Sequence, residues 1–169
     1  MPPLRDVVVD QPRLLLVGIN PGLRSGALGH HFAGRGNPFW HLLVASRLTP
    51  ILIDPVEDQR LGEFGIGLTN LCPRTTRTAA ELSRAEIARG RTTLARKIAR
   101  WRPGVVAFVG VSLYGMFFGR AAGGPGAKAD LISGARVFVV PNPSGLNASY
   151  PGFSHKLVWF KKLRTFLGQ

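Results

Sequence analysis

The sequence predicts an α/β fold in which a mostly parallel sheet is covered by helices on both faces. Short apolar runs such as Leu14 to Val17 and Val105 to Val109 lack polar alternation, which is typical of strands buried on both sides. Segments with the periodicity of amphipathic helices lie between these runs. Strands that alternate with helices favour parallel pairing, because each crossover returns the chain to the same edge of the sheet.

The first strand is predicted over residues 13–19 and ends where a glycine-rich loop begins. The preceding residues 1–12 contain three prolines and are expected to cross the surface, where Val7 to Val9 can pair with a sheet edge. After the loop, Asn37 can cap a helix whose first position is Pro38, where the missing amide hydrogen costs nothing.

The middle of the chain predicts a second strand and a long helix. Residues 50–60 are expected to form an irregular crossing that leads to a strand over residues 64–71. The helix begins at a capping box, since Glu86 stands three residues after Ser83 and can reach back to its free amide. Pro103 ends this helix.

The last third of the chain predicts two further strands. Residues 105–109 form the third strand, after which Ser112 can cap a short helix. The glycine- and alanine-rich residues 119–130 are predicted to be a mobile loop. A fourth strand over residues 136–140 and a final helix that begins at Ser154 complete the chain.

The composition indicates one globular unit. The 169 residues contain no stretch that resembles a linker, so we expect a single domain over residues 1–169. Hydrophobic residues make up 45%, enough for a core, but no apolar run is long enough to cross a bilayer. The first residues lack a secretory pattern and the single Cys72 cannot form an internal disulfide, so a reducing, cytoplasmic setting is expected.

Charge is the strongest compositional feature. The 22 Lys and Arg residues against 9 Asp and Glu give a formal net charge of +13. Such an excess favours association with a polyanion such as nucleic acid, but it conveys no sequence specificity. A general use of arginine for solubility explains the same excess, so charge alone leaves both interpretations open.

Three segments give a more specific indication. They are GINPG followed by GHHFAGRGNPFW (Gly18 to Gly22 and Gly29 to Trp40), GIGLTNLCPRTT (Gly65 to Thr76) and PNPSGLN (Pro141 to Asn147). In this order they closely resemble the mismatch-specific uracil-DNA and thymine-DNA glycosylases, a branch of the uracil-DNA glycosylase superfamily. The resemblance implies a three-layer α/β/α sandwich around a mostly parallel four-stranded sheet, with the active site at the carboxyl ends of the strands.

The resemblance also implies a pocket for a pyrimidine extruded from the duplex. Phe32 would stack on the base, and backbone amides beside Ile19 and Phe32 would meet its carbonyl oxygens. Asn70 matches the residue that reads the base, while Ser25 and Thr76 occupy pocket-side positions with weaker roles. Taken alone, Phe32 would equally fit a core aromatic, and Asn70 a turn former.

Asn20 matches the catalytic asparagine of the family, although outside the motif it would also fit a turn before Pro21. A carboxamide cannot take a proton from water at neutral pH, so Asn20 can only orient a water molecule, and positioning must lower most of the barrier. Where the superfamily's efficient members carry an Asp and a His, this chain has Asn20 and a PNPSGLN segment without His, which predicts slow turnover and broad substrate tolerance. His30 and His31 are either nearby titratable groups or loop histidines near the phosphate backbone.

The PNPSGLN segment resembles a loop that fills the gap left by the extruded base. Leu146 would enter the base stack as an apolar wedge, and Gly145 lets the loop approach closely. Asn142 and Ser144 would contact phosphates, and Asn147 the base left unpaired. The alternative for Leu146 is a core residue that closes the last strand.

These features predict a monofunctional DNA glycosylase that excises uracil, with thymine and etheno-cytosine as further candidates, from G·U and G·T mismatches in double-stranded DNA. We expect a monomer that needs no metal or other cofactor and binds no membrane. The alternatives are a non-catalytic DNA-binding module of the same fold and an α/β protein that binds small nucleotides. The basic residues expected near the site or DNA are Arg24, Arg35, Arg74, Arg77, Lys156, Lys161 and Lys162.

Overall fold

The computed structural model describes residues 1–144 and 149–169, and within these ranges a five-stranded sheet forms the centre. The strands are β1 (Leu14–Gly18), β2 (Ile66–Asn70), β3 (Val105–Val109), β4 (Gly126–Ile132) and β5 (Ala135–Val140). The helices are α1 (Leu23–Leu28), α2 (Phe39–Ala45), α3 (Arg84–Trp101), α4 (Val111–Phe118) and α5 (Phe153–Leu167). Two 3-10 helices cover Pro55–Phe64 and Ala79–Glu81.

The sheet has four parallel strands and one antiparallel edge strand. The strand order is β2-β1-β3-β5-β4, and β4 runs antiparallel to β5. The register pairs Gly18 with Asn70 at the ends of β1 and β2, and Val109 with Val140 at the ends of β3 and β5. The four parallel strands therefore end at the same edge of the sheet, the usual place for a ligand in this class of fold.

The sheet separates two hydrophobic cores. Leu14 and Leu16 of β1 pack in the core that contains side chains of α2 and α5. Leu15 and Val17 pack in the other core, with side chains of α3 and α4. All four side chains are fully buried, which explains why the strand is apolar without interruption. This arrangement confirms the predicted three-layer α/β/α sandwich.

A β-hairpin corrects two predictions, the four-stranded sheet and the loop over residues 119–130. The strand that the sequence did not predict is β4, which begins inside that predicted loop and joins β5 through a two-residue turn. In this turn Ser133 and Gly134 have φ values of 48° and 84°, and positive φ at both positions is typical of a type I′ hairpin. The Ser-Gly pair is a turn signal, but glycine and alanine have low strand propensity and conceal the strand before it.

Helix starts follow the local sequence signals in part: α3 has its predicted cap, α2 begins at Phe39 rather than at Pro38, and α4 begins at Val111 after Gly110, so the prediction of Ser112 as its cap is wrong. Ser83 and Glu86 form the predicted capping box of α3, with hydrogen bonds of 3.0 and 3.1 Å. The Asn37 side chain accepts a hydrogen bond from the backbone N–H of Phe39, and so supports the first turn of α2. The last helix, α5, begins at Phe153, one residue earlier than predicted.

Other local differences arise near the predicted loops. The helix α1 lies inside the predicted glycine-rich loop, and the 3-10 helix Pro55–Phe64 replaces most of the predicted irregular crossing. Val7 forms the predicted edge contact, an antiparallel bridge to Leu68 of β2. Within the two described ranges, no helix combines the length and the apolar character that crossing a bilayer requires.

Gly90 lets α3 approach the end of β2, and its substitution tests this packing. A Cβ atom at position 90 would lie 2.4 Å from the carbonyl oxygen of Leu71. We expect Gly90→Ala to lower the free energy of unfolding by about 2 kcal/mol, since the required backbone shift outweighs the higher helix propensity of alanine.

Urea denaturation measures this change. Gly104→Ala is the matched control, because a Cβ there would lie 3.5 Å from its nearest neighbour, the carbonyl oxygen of Arg13. A Gly90→Ala protein as stable as the parent would contradict the close packing of α3.

Candidate active site

A cavity of ≈ 700 Å³ opens at the carboxyl edge of the sheet. It is lined by Asn20 after β1, Asn70 at the end of β2, Val111 and Ser112 at the start of α4, and Asn142 after β5. Segments that are distant in the sequence therefore bring polar groups to one space. Its size is that of a small-molecule binding site.

The hydrogen bonds of Asn20 fix the direction of its carboxamide. Its Nδ2 donates to the carbonyl oxygen of Arg74 at 2.8 Å and to Oγ1 of Thr76 at 2.7 Å. The Thr76 hydroxyl donates its proton to the carbonyl oxygen of Thr78 at 2.8 Å, so it must accept from Asn20. Because both Nδ2 protons are engaged, Oδ1 is the atom that Asn20 can offer to a donor in the cavity.

The structure thus gives Thr76 a definite contact. Its side chain is 3% exposed, and its backbone N–H donates to the carbonyl oxygen of Pro21, beside Asn20. Thr76 also lines the cavity, as the sequence predicted. Its hydroxyl acts on Asn20, which makes it a positioning residue for the carboxamide.

Phe32 provides an aromatic surface in the cavity. Its ring stacks on Phe39 with 3.8 Å between centroids and 14° between planes, and Phe39 meets Trp40 edge-on. Phe39 is fully buried, whereas Phe32 is half-buried and lines the cavity. The backbone of Phe32 has a φ of 50°, a value that a bulky residue adopts only where its surroundings hold it.

Asp58 holds the loop that carries Phe32. Its Oδ2 accepts the backbone N–H of His31 at 3.0 Å, and the carbonyl oxygen of His31 accepts the indole N–H of Trp40 at 3.1 Å. Asp58 is 3% exposed and lies in the 3-10 helix Pro55–Phe64, where no local sequence pattern distinguishes it from a surface carboxylate. The Nδ1 atom of His30 lies 3.4 Å from Oδ1 of Asp58, without the alignment of a hydrogen bond.

His31 is a buried side chain, with 1% of its surface exposed. Its Nε2 lies 2.9 Å from the carbonyl oxygen of Arg5, which can only accept, so Nε2 carries a proton and donates it to this contact. Burial lowers the pKa of His31, although the Arg5 carbonyl and the carboxylate of Asp58 oppose the shift. These contacts make His31 a buried loop residue that anchors the N-terminal segment, a role that the sequence did not predict.

Ser25 and Ile19 lie beside the aromatic loop and line the cavity. The buried hydroxyl of Ser25 accepts the backbone N–H of Ala33 at 2.9 Å, which ties α1 to the residue after Phe32. Arg24 donates from Nε to the carbonyl oxygen of Ala33 at 3.0 Å. Ser25 and Arg24 therefore hold both backbone polar groups of Ala33, the residue that follows Phe32.

Asn70 and Phe32 approach each other over Gly18. A Cβ atom at Gly18 would lie 2.5 Å from Oδ1 of Asn70 and 3.2 Å from Cζ of Phe32. Only the missing side chain allows both groups to reach the end of β1. All three segments identified in the sequence therefore line one cavity, the first through Asn20 and Phe32, the second through Asn70 and the third through Asn142.

The start of the PNPSGLN segment rests on a buried lysine. The ammonium group of Lys156 on α5 donates to the carbonyl oxygens of Pro143 and Ser144 at 3.2 and 3.3 Å, and the residue is 2% exposed. The expectation of a surface lysine near DNA is therefore wrong for Lys156. Asn142 and Ser144 line the cavity, and Oδ1 of Asn142 accepts the backbone N–H of Ser144.

The predicted wedge, Leu146, lies outside the described residues, as do its neighbours Gly145 and Asn147. Among the other basic residues, Arg24 and Arg77 line the cavity, whereas Arg74 forms an ion pair with Glu86. Arg35, Lys161 and Lys162 are exposed. In the part of the chain that the structure describes, no group of three or more His, Cys, Asp or Glu residues is arranged to hold a metal ion.

Comparison with known proteins identifies the family. The family model of the uracil DNA glycosylase superfamily matches residues 6–164. The chain belongs to this superfamily. The fold also resembles the solution NMR structure of a Methanosarcina acetivorans protein described as a "putative Uracil DNA glycosylase", with a TM-score of 0.62 and 16% identity over 99% of this chain and 98% of that one.

Membership of the uracil DNA glycosylase superfamily gives the cavity a chemical context, since members of the superfamily are N-glycosylases. In the described residues, the polar side chains that line the cavity are amides, hydroxyls, His31 and two arginines. Such groups can stabilise charge through hydrogen bonds and, for the arginines, through their positive charge.

The buried state of His31 predicts a pH dependence of stability. A base whose pKa is depressed by folding binds protons more readily when unfolded, so its contribution is full above about pH 6.5 and is lost as the pH falls below that value. We expect an NMR titration to place the pKa of His31 below 6.5, and His31→Gln to flatten the unfolding free energy between about pH 6.5 and 5. A pKa of 6.5 or higher would exclude a buried neutral ring.

The contacts of Lys156 predict a structural role for its charge. Lys156→Met keeps the apolar stem but removes the ammonium donor from the buried carbonyl of Pro143 and the partly buried carbonyl of Ser144, so we expect the free energy of unfolding to fall by about 1–3 kcal/mol. Thermal denaturation measures this loss. Lys161→Met, on the exposed side of the same helix, should change stability little; equal effects of the two variants would contradict the anchor.

Proposed function

We propose that the protein is a monofunctional DNA glycosylase that flips uracil out of mismatched double-stranded DNA and hydrolyses its N-glycosidic bond. One observation carries the proposal: Asn20, whose Nδ2 is held by Arg74 and Thr76, and the aromatic residue Phe32 line the same cavity at the carboxyl edge of the sheet. Membership of the uracil DNA glycosylase superfamily supports the reaction class. The mismatch-specific branch is proposed from the GINPG and PNPSGLN segments.

The cavity offers complementary contacts to a flipped pyrimidine. The exposed part of the Phe32 ring would stack on the base, and the stacking of Phe32 on Phe39 restricts movement of the ring. The Asn70 carboxamide can pair with the edge of uracil, because it carries both a donor and an acceptor. Backbone amides beside Ile19 and Phe32 would meet the uracil carbonyl oxygens.

The chemistry of Asn20 favours a dissociative reaction. Its Oδ1 can accept a hydrogen bond from water and aim the water at C1′ of the sugar, but it cannot remove a proton at neutral pH. The N-glycosidic bond must therefore stretch first, so that the sugar gains oxocarbenium character and uracil leaves as an anion. The first turn of α4 lines the cavity, and the positive end of its helix dipole favours that negative charge.

The same chemistry fits a mismatched substrate. Extrusion of a base costs a few kcal/mol, and the cost is least where pairing is already poor. A weakly activated water acts slowly, so a base that leaves the stack readily and departs as a stable anion is favoured. The wedge assigned to Leu146 would fill the vacated space and belongs to this proposal.

Base release by Asn20→Ala tests the function. On a labelled G·U duplex under single-turnover conditions, with alkali used to reveal abasic sites, we expect the parent to release uracil and the variant to be slower on the order of 10²-fold, because the water is no longer aligned. Binding of the duplex should remain within a few-fold of the parent.

Thr165→Ala, an exposed hydroxyl on α5, is the control and should leave the rate unchanged. Duplexes with thymine or etheno-cytosine, placed opposite each base, define the substrate range. Tight, salt-sensitive binding without abasic product would instead favour the non-catalytic DNA-binding module, and an Asn20→Ala rate equal to that of the parent would refute the assigned mechanism.

A further inference from the structure

We infer that the ion pair between Arg74 and Glu86 positions Asn20 for base release, so that a charge pair outside the catalytic contacts sets the rate of the reaction. The inference rests on the proposed function. It concerns residues that touch neither the base nor the sugar in that proposal. Arg74 and Glu86 are therefore positioning residues, which act through Asn20.

Glu86 holds the side chain of Arg74 through two hydrogen bonds. The guanidinium group donates from Nε to Oε2 of Glu86 at 2.7 Å and from Nη2 to Oε1 at 2.9 Å. Nη2 also donates to the carbonyl oxygen of Glu81 at 2.8 Å. A bidentate pair with a third contact fixes the plane of the guanidinium group and with it the local backbone.

Glu86 is itself held in position at the start of α3. Glu86 is the third residue of α3 and closes the capping box, where Oε1 accepts the backbone N–H of Ser83 at 3.0 Å. The hydrogen bonds from Arg74 and Ser83 lower the pKa of Glu86 to about 2. The carboxylate is therefore ionised throughout the neutral range and remains attached to the start of a long helix.

The backbone of Arg74 contacts the side chain of Asn20 directly. The carbonyl oxygen of Arg74 accepts one Nδ2 proton of Asn20 at 2.8 Å, so the main chain held by the ion pair is itself a partner of the carboxamide. The second partner, Thr76, is tied to the carbonyl oxygen of Thr78. Thr78 is the cap of the 3-10 helix Ala79–Glu81, where its N–H donates to Oε2 of Glu81 at 2.8 Å.

Two consecutive capping boxes therefore hold the two acceptors that orient Asn20. An ion pair with partly exposed members contributes little to stability, so a purely structural role would leave the protein nearly unchanged when the charge is removed. A role in positioning predicts a different result. The rate of base release should fall while folding and DNA binding persist.

Glu86→Gln is the variant that separates these roles. Glutamine also serves in a capping box, so α3 keeps its cap while the charge-assisted grip on Arg74 is lost. We expect the single-turnover rate of uracil release to fall about tenfold, because a small displacement of a catalytic group is costly. The Kd for a duplex with a non-cleavable 2′-fluoro uracil nucleotide should change less than twofold.

Glu57→Gln is the matched control, since it removes one carboxylate from the exposed ion pair with Arg60 and leaves the contacts of Asn20 intact. In a double-mutant cycle, Glu86→Gln added to Asn20→Ala should slow the residual reaction less than twofold, since its effect passes through Asn20. Full additivity, or a Glu86→Gln rate equal to that of the parent, would overturn the inference.

A second measurement does not depend on catalysis. Hydrogen exchange of the Asn20 side-chain NH₂ group, followed by NMR, should be slow in the parent and accelerate at least tenfold in Glu86→Gln but not in Glu57→Gln. Unchanged exchange in Glu86→Gln would refute the positioning role. If the parent releases no uracil but the exchange responds as expected, the proposed function fails and the control of Asn20 by the ion pair stands.

Discussion

The site depends on the fixed direction of a short hydrogen-bond chain. Asn20 donates to Thr76, and Thr76 donates to the carbonyl oxygen of Thr78. Because that carbonyl can only accept, it determines which group donates at both steps of the chain. The carbonyl of Arg74 takes the remaining Nδ2 proton. A carboxamide with both protons engaged is no longer an adaptable group, and its oxygen becomes a single acceptor with a defined position.

The rest of the fold brings other groups to that acceptor. Parallel strands end at one edge of the sheet, and Gly18 leaves the space through which Phe32 and Asn70 approach the end of β1. Phe39 of the stacked pair belongs to the buried core, and Phe32 packs against that core. The hydrogen bond from the His31 backbone to Asp58 holds the residue before Phe32. Rigidity of this kind is what a weak chemical group needs, because positioning replaces acid–base strength.

Much of this arrangement can be predicted from the sequence where the signal is local. The apolar run of β1 and the capping box of Ser83 and Glu86 depend on neighbours within a few residues, and both have the predicted form. Asn20 and Asn70 of the family segments lie at the carboxyl edge because the ends of parallel strands meet there, and Phe32 lines the same cavity.

The missed features depend on partners far along the chain. Asp58 acts on a backbone amide 27 residues away, and the Lys156 ammonium serves carbonyls 12 and 13 residues earlier, so neither residue differs locally from a surface charge. The carboxamide of Asn20 meets acceptors 54 and 56 residues away. The hairpin of β4 and β5 has a local turn signal at Ser133 and Gly134, but the low strand propensity of alanine and glycine concealed the strand β4.

The most direct test is a crystal structure of the protein bound to a duplex that contains a non-cleavable 2′-fluoro uracil nucleotide opposite guanine. The account predicts that the flipped base stacks on Phe32, that Asn20 keeps its contacts with Arg74 and Thr76, and that Oδ1 faces a water near C1′. A base bound elsewhere, or an Asn20 side chain turned so that Nδ2 faces the sugar, would contradict it.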